Sequence, residues 1–523
     1  MPTVNLPHFR SIFLLWATLV LVLPSYGQIA TSRIFSDNMV LQRNQPIHIW
    51  GTAPAGTQVN LRLHTQLSLA FADAQGNWEA VLGSLPAGGP YQLLIESPVG
   101  DITYSNIAIG EVWICAGQSN MERPLKLADN GTAEAASANW PNIRFFTVPN
   151  VMSAVATRQL TSGQWLICTP ETAKDFSGTG FYFGKHLYQN LNIPIGLIDI
   201  TWGGTQIDTW ISPQGHALFP DMQPALSALA NLDIEEEINA ITTSQEAWDQ
   251  QLELQDIGLQ QNWSSPNVSI AGWGTMMIPK SWESDALPGR DGSVWFKRTF
   301  TLTTTQAASD IQLSIGRVDD SDQTWVNGHL VGSTALNPGL VRTYNVPASY
   351  LLAGENQITI RVRDYGYTGG LLGGSSDMKV QRDIWQVPLA GNWYYKVGTP
   401  NLGNRPLDFA PSDYPSLIFN GMIGPLLGLR MAGVIWYQGE SDSGNPFHYR
   451  DKQIRIIDDW RSHWGIGNFP FITTQLTAFR PTVSQPGASS WATLRESQFF
   501  TLKRSNTAIA CLIDEGEAYD IHL

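Results

Sequence analysis

The chain has 523 residues, with 31 Lys plus Arg against 45 Asp plus Glu and a formal net charge of -14. That length exceeds one ordinary core and implies several domains, and the acidic balance disfavours nucleic acid as a partner. The three cysteines, Cys115, Cys168 and Cys511, lie far apart, with neither metal-ligand spacing nor a disulfide framework. Cys115 and Cys168 sit in apolar surroundings and read as small buried hydrophobes. The 20 tryptophans serve mainly a core, although flat indole faces also suit sugar rings.

In chain order, residues 1–27 come first. Arg10, the apolar run Ser11 to Leu23 and the small residues before Gln28 read as a secretory signal peptide cut near Gly27, which implies a secreted or periplasmic protein. The run is shorter than the roughly 20 residues that span a bilayer, so no integral membrane segment is expected after cleavage.

Residues 28–107 alternate apolar and polar between turn signals, as in Val59-Asn60-Leu61-Arg62-Leu63, and predict an N-terminal β-sandwich. From 108 to 225 the pattern changes to fully apolar runs, Val112 to Ala116 and Ile195 to Ile200, with a helical period over Phe181 to Leu191. Residues 399–523 return to it with Gly433 to Tyr437, Phe469 to Ile472 and a helical period over Tyr449 to Trp464. Such runs predict strands buried on both faces, hence a parallel sheet flanked by helices in an α/β domain built from two blocks. Between the blocks, 226–262 reads as a polar helical linker, and 263–398 alternates again, predicting a second β-sandwich inserted in the α/β domain.

Chemistry concentrates where apolar strands end. Gly117-Gln118-Ser119-Asn120-Met121 follows Ala116 and exposes a serine at a strand exit. Trp202-Gly203-Gly204-Thr205 places a glycine pair after the next strand, where backbone N–H groups can approach a developing negative charge. Gln438, in Trp436-Tyr437-Gln438-Gly439-Glu440-Ser441, offers a side-chain amide of the type used for an oxyanion. His522 is the one histidine with a carboxylate two residues before it in an acidic, glycine-containing loop, and imidazole is the usual base for a hydroxyl nucleophile. Taken singly, the serine is more commonly a turn residue, the glycine pair is equally a tight strand-to-loop turn, and a lone loop histidine is usually just solvated.

Together the four blocks resemble those of the SGNH hydrolases, and more narrowly the sialate O-acetylesterase-like family of carbohydrate esterases. The resemblance also rests on Phe35 to Arg43, Gly110-Glu111-Val112-Trp113, Pro194 to Ile198, Asp459-Trp460-Arg461, Leu494 to Gln498 and Asp520-Ile521-His522. It implies a flavodoxin-like α/β sheet and removal of acetyl groups from a sugar, sialic acid first, without metal or organic cofactor. It also implies Ser119 as nucleophile, His522 as base, and an oxyanion hole from the Ser119 N–H, Gly203 or Gly204, and Gln438. Asp520 is the first choice to orient His522; a backbone carbonyl or Glu440 is the alternative, because the place three residues before the histidine is Tyr519. Asn120, Glu440 and Arg495 are candidate supporting residues. The insert resembles galactose-binding-like jelly rolls through Asp319 to Gly328, with a structural role favoured over sugar binding. Relatives of the family continue past the histidine block, so an end at Leu523 implies a truncated, less active and less stable enzyme.

Three other readings stand beside this one. The first is an acetyl xylan or other plant-glycan esterase. The second is a glycosidase pairing Glu440 with Glu496 or Asp514. The third is a non-catalytic secreted glycan-binding protein.

Overall fold

The computed structural model describes residues 27–522, so the expected signal peptide, apart from Gly27, lies outside the described residues. The chain divides into two compact units: residues up to 232 together with those from 411 onward, and residues 233–410.

The N-terminal strands of the first unit include β1 (Val40–Gln42), β2 (Gln58–Leu63), β3 (Gly88–Ser97) and the 18-residue β4 (Gly100–Gly117). In β2, Val59, Leu61 and Leu63 are buried while Gln58, Asn60 and Arg62 face solvent, the period-two pattern of a half-covered strand. β4 starts as an antiparallel partner of β3, pairs parallel with β1 over Ala108 to Gly110, and continues into the parallel sheet. The boundary expected at residue 107 therefore falls inside one strand. What reads as a change of domain is β4 passing from a half-exposed to a doubly buried environment, with Ile107, Ile109, Val112 and Ile114 in one continuous core.

After β4 come the single turn α1 (Ser119–Glu122), β5 (Trp140–Thr147), α2 (Gly178–Leu191) and β6 (Ile195–Thr201). All seven residues of β6 are buried, which explains its unbroken apolar character.

The second unit opens with α3 (Ile234–Gln255), capped by the Asp233 carboxylate on the N–H groups of Glu235 and Glu236. Two six-stranded antiparallel sheets follow, one containing β7 (Gly292–Leu302) and β9 (Gly354–Asp364), the other β8 (Ile311–Asp319). Val294 and Phe296 share a core with Leu313 and Ile315 from the other sheet. The helix read as a linker belongs to this unit. Just beyond it, Asp256 is buried and accepts from Trp295 Nε1 (2.9 Å) and Arg361 Nε (2.6 Å).

The first unit resumes with β10 (Gly433–Tyr437), α4 (Pro446–Trp464), β11 (Phe471–Thr474), α5 (Ser490–Gln498) and β12 (Thr507–Ala510). Six strands then run parallel in the order β5-β6-β4-β10-β11-β12. The chain adds β5 and β6 on one side of β4, then β10 to β12 on the other. β4 is thus the switch point, where an open α/β sheet forms a crevice at its carboxyl edge. Gly117 pairs with both Thr201 and Tyr437, so the three strands that precede the sequence blocks end at one level.

Candidate active site

At Gly117, φ is +146° and a Cβ would lie 2.0 Å from the Tyr437 carbonyl oxygen, so only glycine lets the chain turn out of β4 beside β10. Ser119 then opens α1, whose first N–H groups have no acceptor within their own turn. Gln118 fastens this exit to the loop after β10: its Oε1 accepts from Gly439 N–H (3.2 Å) and Ser441 N–H (3.3 Å).

The C-terminal segment reaches the same place from β12. It runs beside the chain that leaves β11, pairing Ala478 with Gly516 and Phe479 with Glu517, and ends against α1. Asn120 Nδ2 donates to the Ile521 carbonyl (2.8 Å) and to Glu440 Oε1 (2.6 Å). Held there, His522 Nε2 stands 3.1 Å from Ser119 Oγ, and His522 Nδ1 stands 3.1 Å from Asp520 Oδ1. With the proton on Nδ1 donated to Asp520, Nε2 accepts from the serine hydroxyl. Asp520 Oδ1 also accepts the His522 N–H at 2.8 Å. That N–H, then the imidazole and the more distant charge of Arg123, hold the Asp520 carboxyl below its ordinary value. The arrangement suits proton transfer from a hydroxyl nucleophile.

The expected oxyanion donors divide. Gln438 is fully buried, and its amide donates to the Thr205 carbonyl (3.0 Å) and to Asp442 Oδ2 (2.5 Å). It therefore clamps the loops after β6 and β10 together and presents no hydrogen to a substrate, which corrects its expected role. Burial pushes the Asp442 carboxyl up to about 7, against the pull of that amide and of the Ile207 N–H. The Gly203 N–H is likewise engaged, donating to Glu122 Oε2 at 2.8 Å. A Cβ on Gly203 would come within 2.8 Å of that oxygen and 3.5 Å of Ser119 Cβ, so the glycine is needed for close approach. Among the described residues, no acceptor engages the N–H groups of Ser119 and Gly204, which leaves both without a protein partner.

Glu440 does not touch His522. Burial raises its carboxyl above the ordinary value while the Asn120 amide pulls it down, and its Oε2 has no partner. Glu440 thus acts on the histidine segment through Asn120. Arg495 contributes its carbonyl to Gln475 Nε2 (3.0 Å), and among the described residues its side chain makes no hydrogen bond to Ser119 or His522. Glu122, Asp442 and Thr205 were not singled out from the sequence, although Glu122 lies in the nucleophile block itself.

Residues 109–252 and 421–518 match the family model described as carbohydrate esterase, sialic acid-specific acetylesterase. These segments are similar to the sialic acid-specific carbohydrate esterases. Human sialate O-acetylesterase is 29% identical over 196 residues, which is 34% of this chain and 38% of the human protein. The mouse enzyme is 27% identical over 198 residues, 34% and 37% of the two chains. The matched stretch thus spans less than two-fifths of these relatives. The fold is shared with a carbohydrate acetylesterase from Xanthomonas citri, at a TM-score of 0.56 and 22% identity over 94% of this chain and 71% of that one. Ser119, Gly203, Gly204, Gln438 and Glu440 fall within the matched segments, whereas Asp520 and His522 lie just beyond the second.

Among the described residues, no group of three or more His, Cys, Asp or Glu is placed to hold a metal ion, and no helix is long and apolar enough to cross a membrane.

Proposed function

We propose that the protein is an exported carbohydrate O-acetylesterase that hydrolyses acetyl esters on sugars, sialic acids first, through an acetyl-enzyme on Ser119. The observation that carries this reading is the Ser119–His522–Asp520 relay at the carboxyl edge of the switch-point strand. Ser119 Oγ attacks the acetyl carbonyl carbon and its proton passes to His522 Nε2. The Ser119 and Gly204 N–H groups hold the oxyanion. Collapse breaks the carbon–oxygen bond to the sugar, whose oxygen takes the proton back from Nε2. Water, deprotonated by the same nitrogen, then releases acetate and restores the serine.

The family match supports the acetyl-sugar substrate. We read the parallel sheet as an SGNH-hydrolase arrangement and the two-sheet insert as a galactose-binding-like jelly roll with a structural role. Within it, Asp322 is fully buried and accepts from Arg342 Nε (3.1 Å), Tyr344 Oη (2.8 Å) and Thr324 Oγ1 (2.8 Å), which leaves its carboxylate occupied by the fold. Residues 1–27 supply the export signal.

Acetate release from O-acetylated sialic acids and from acetylated xylo-oligosaccharides tests the reading. The wild type is expected to release acetate from the sialic acids, and Ser119→Ala to lose at least about a thousandfold in kcat. Release from the xylo-oligosaccharides alone would move the substrate to plant glycans. Undiminished turnover by Ser119→Ala would end the proposal.

A further inference from the structure

Arg123 closes the turn that Ser119 opens. Its N–H donates to the Ser119 carbonyl at 2.8 Å and its own carbonyl accepts from Gly178 N–H at 2.9 Å, so its backbone is fixed on both sides. Residues four apart on a helical turn share a face. The Arg123 side chain therefore leaves the backbone on the face that carries the nucleophile.

That side chain is half-buried, and its Nε is fully shielded with no partner. Among the described residues, no carboxylate or carbonyl accepts from its guanidinium. The adjacent Glu122 is engaged on the Gly203 N–H, and Asp520, whose carboxyl feels the Arg123 charge, on His522. A guanidinium keeps its charge in any protein setting, and shielding it without a counter-ion is unfavourable. The chain has 45 acidic side chains against 31 basic ones, so an unpaired cation at this spot does not reflect a shortage of partners. Its charge reaches the relay itself, contributing to the lowered Asp520 carboxyl.

We infer that Arg123 is a specificity-determining residue that pairs with a carboxylate carried by the sugar, so that the site takes O-acetylated sugar acids in preference to neutral sugars. The inference rests on the esterase reading for the acetyl group, while the carboxylate contact is a binding property that can be measured without turnover. The planar fork of a guanidinium matches a carboxylate through two parallel hydrogen bonds. A charged hydrogen bond of this kind is worth about tenfold to a hundredfold in affinity.

The test is calorimetric titration of the full chain with N-acetylneuraminate and its methyl ester, and with galacturonate and its methyl ester. The wild type is expected to bind at least one free acid about tenfold to a hundredfold more tightly than its ester. Which acid shows the difference tells a sialic acid from a hexuronic acid. Arg123→Gln is expected to erase the difference and Arg123→Lys to keep part of it, with thermal melts confirming that both variants are folded. Equal binding of acid and ester by the wild type, absence of binding to either acid, or a difference that survives Arg123→Gln would overturn the inference. Acetate release by the same preparations separates the two claims. Acid-selective binding without acetate release would remove the esterase and leave the Arg123 contact standing; acetate release without acid preference would do the reverse.

Discussion

Asn120 joins segments 320 and 401 residues away in sequence, because one amide donates both to Glu440 and to the peptide next to His522. If that clamp positions the histidine, Glu440→Ala should lower kcat about tenfold to a hundredfold with little change in KM, since small misplacements of a reacting group carry such losses. Glu440→Gln keeps an acceptor for Asn120 and is expected to restore most of the rate, a rescue that a purely packing role would not give. Gln438→Ala is expected to act differently. It leaves the buried Thr205 carbonyl without the amide and the Asp442 carboxyl with only the Ile207 N–H, and should destabilise by about 2–4 kcal/mol, visible as a lower Tm. kcat of the folded variant should remain within about tenfold of wild type, short of the 100-fold or greater loss that removal of an oxyanion donor causes. Ser119 and His522 were legible in the sequence because a hydroxyl and an imidazole at strand exits imply chemistry. Gln438 was misread because an amide has the same hydrogens whether it faces a substrate or the core, and only packing decides which.

The α/β elements were legible where their periodicity was strong: α2 and α4 coincide with the helical periods, and β6 and β10 with the apolar runs. Which strand forms the switch point was not legible, because adjacency of β4 to β6 and β10 is a long-range pairing with no local signature. β6 also conceals a carboxylate. Asp199, opposite Cys115 in the register, is buried with one oxygen unpartnered, and burial pushes its carboxyl up to about 7 while the Thr201 hydroxyl pulls it down. A raised acid binds its proton more tightly when folded than when unfolded. The stability it contributes is thus fully present below about pH 4 and is lost as pH rises through about 7. Asp199→Asn removes that loss. Its Tm relative to wild type should therefore rise between about pH 5 and about pH 8.5, by an amount equivalent to roughly 1–3 kcal/mol, as thermal melts across that range would show. A pH-independent difference would mean that the carboxyl titrates normally.

For the whole molecule, the sequence showed two α/β blocks around an insert but put its edges elsewhere. The helix read as a linker packs with the insert in the unit spanning 233–410 because Asp256 is tied to Trp295 and Arg361. That unit has its own core between two sheets, so residues 233–410 expressed alone should give a β-rich spectrum and one cooperative melt. The candidate site residues named above all lie in the other unit, and the proposed esterase chemistry depends most on Ser119. Treatment with diisopropyl fluorophosphate followed by peptide mapping tests it directly, since this reagent phosphorylates a serine only when a neighbouring base activates it. The expected result is one modified peptide carrying the label on Ser119, with acetate release lost in proportion and no labelling in His522→Ala. Labelling elsewhere, or undiminished turnover by the Ser119-labelled protein, would contradict it.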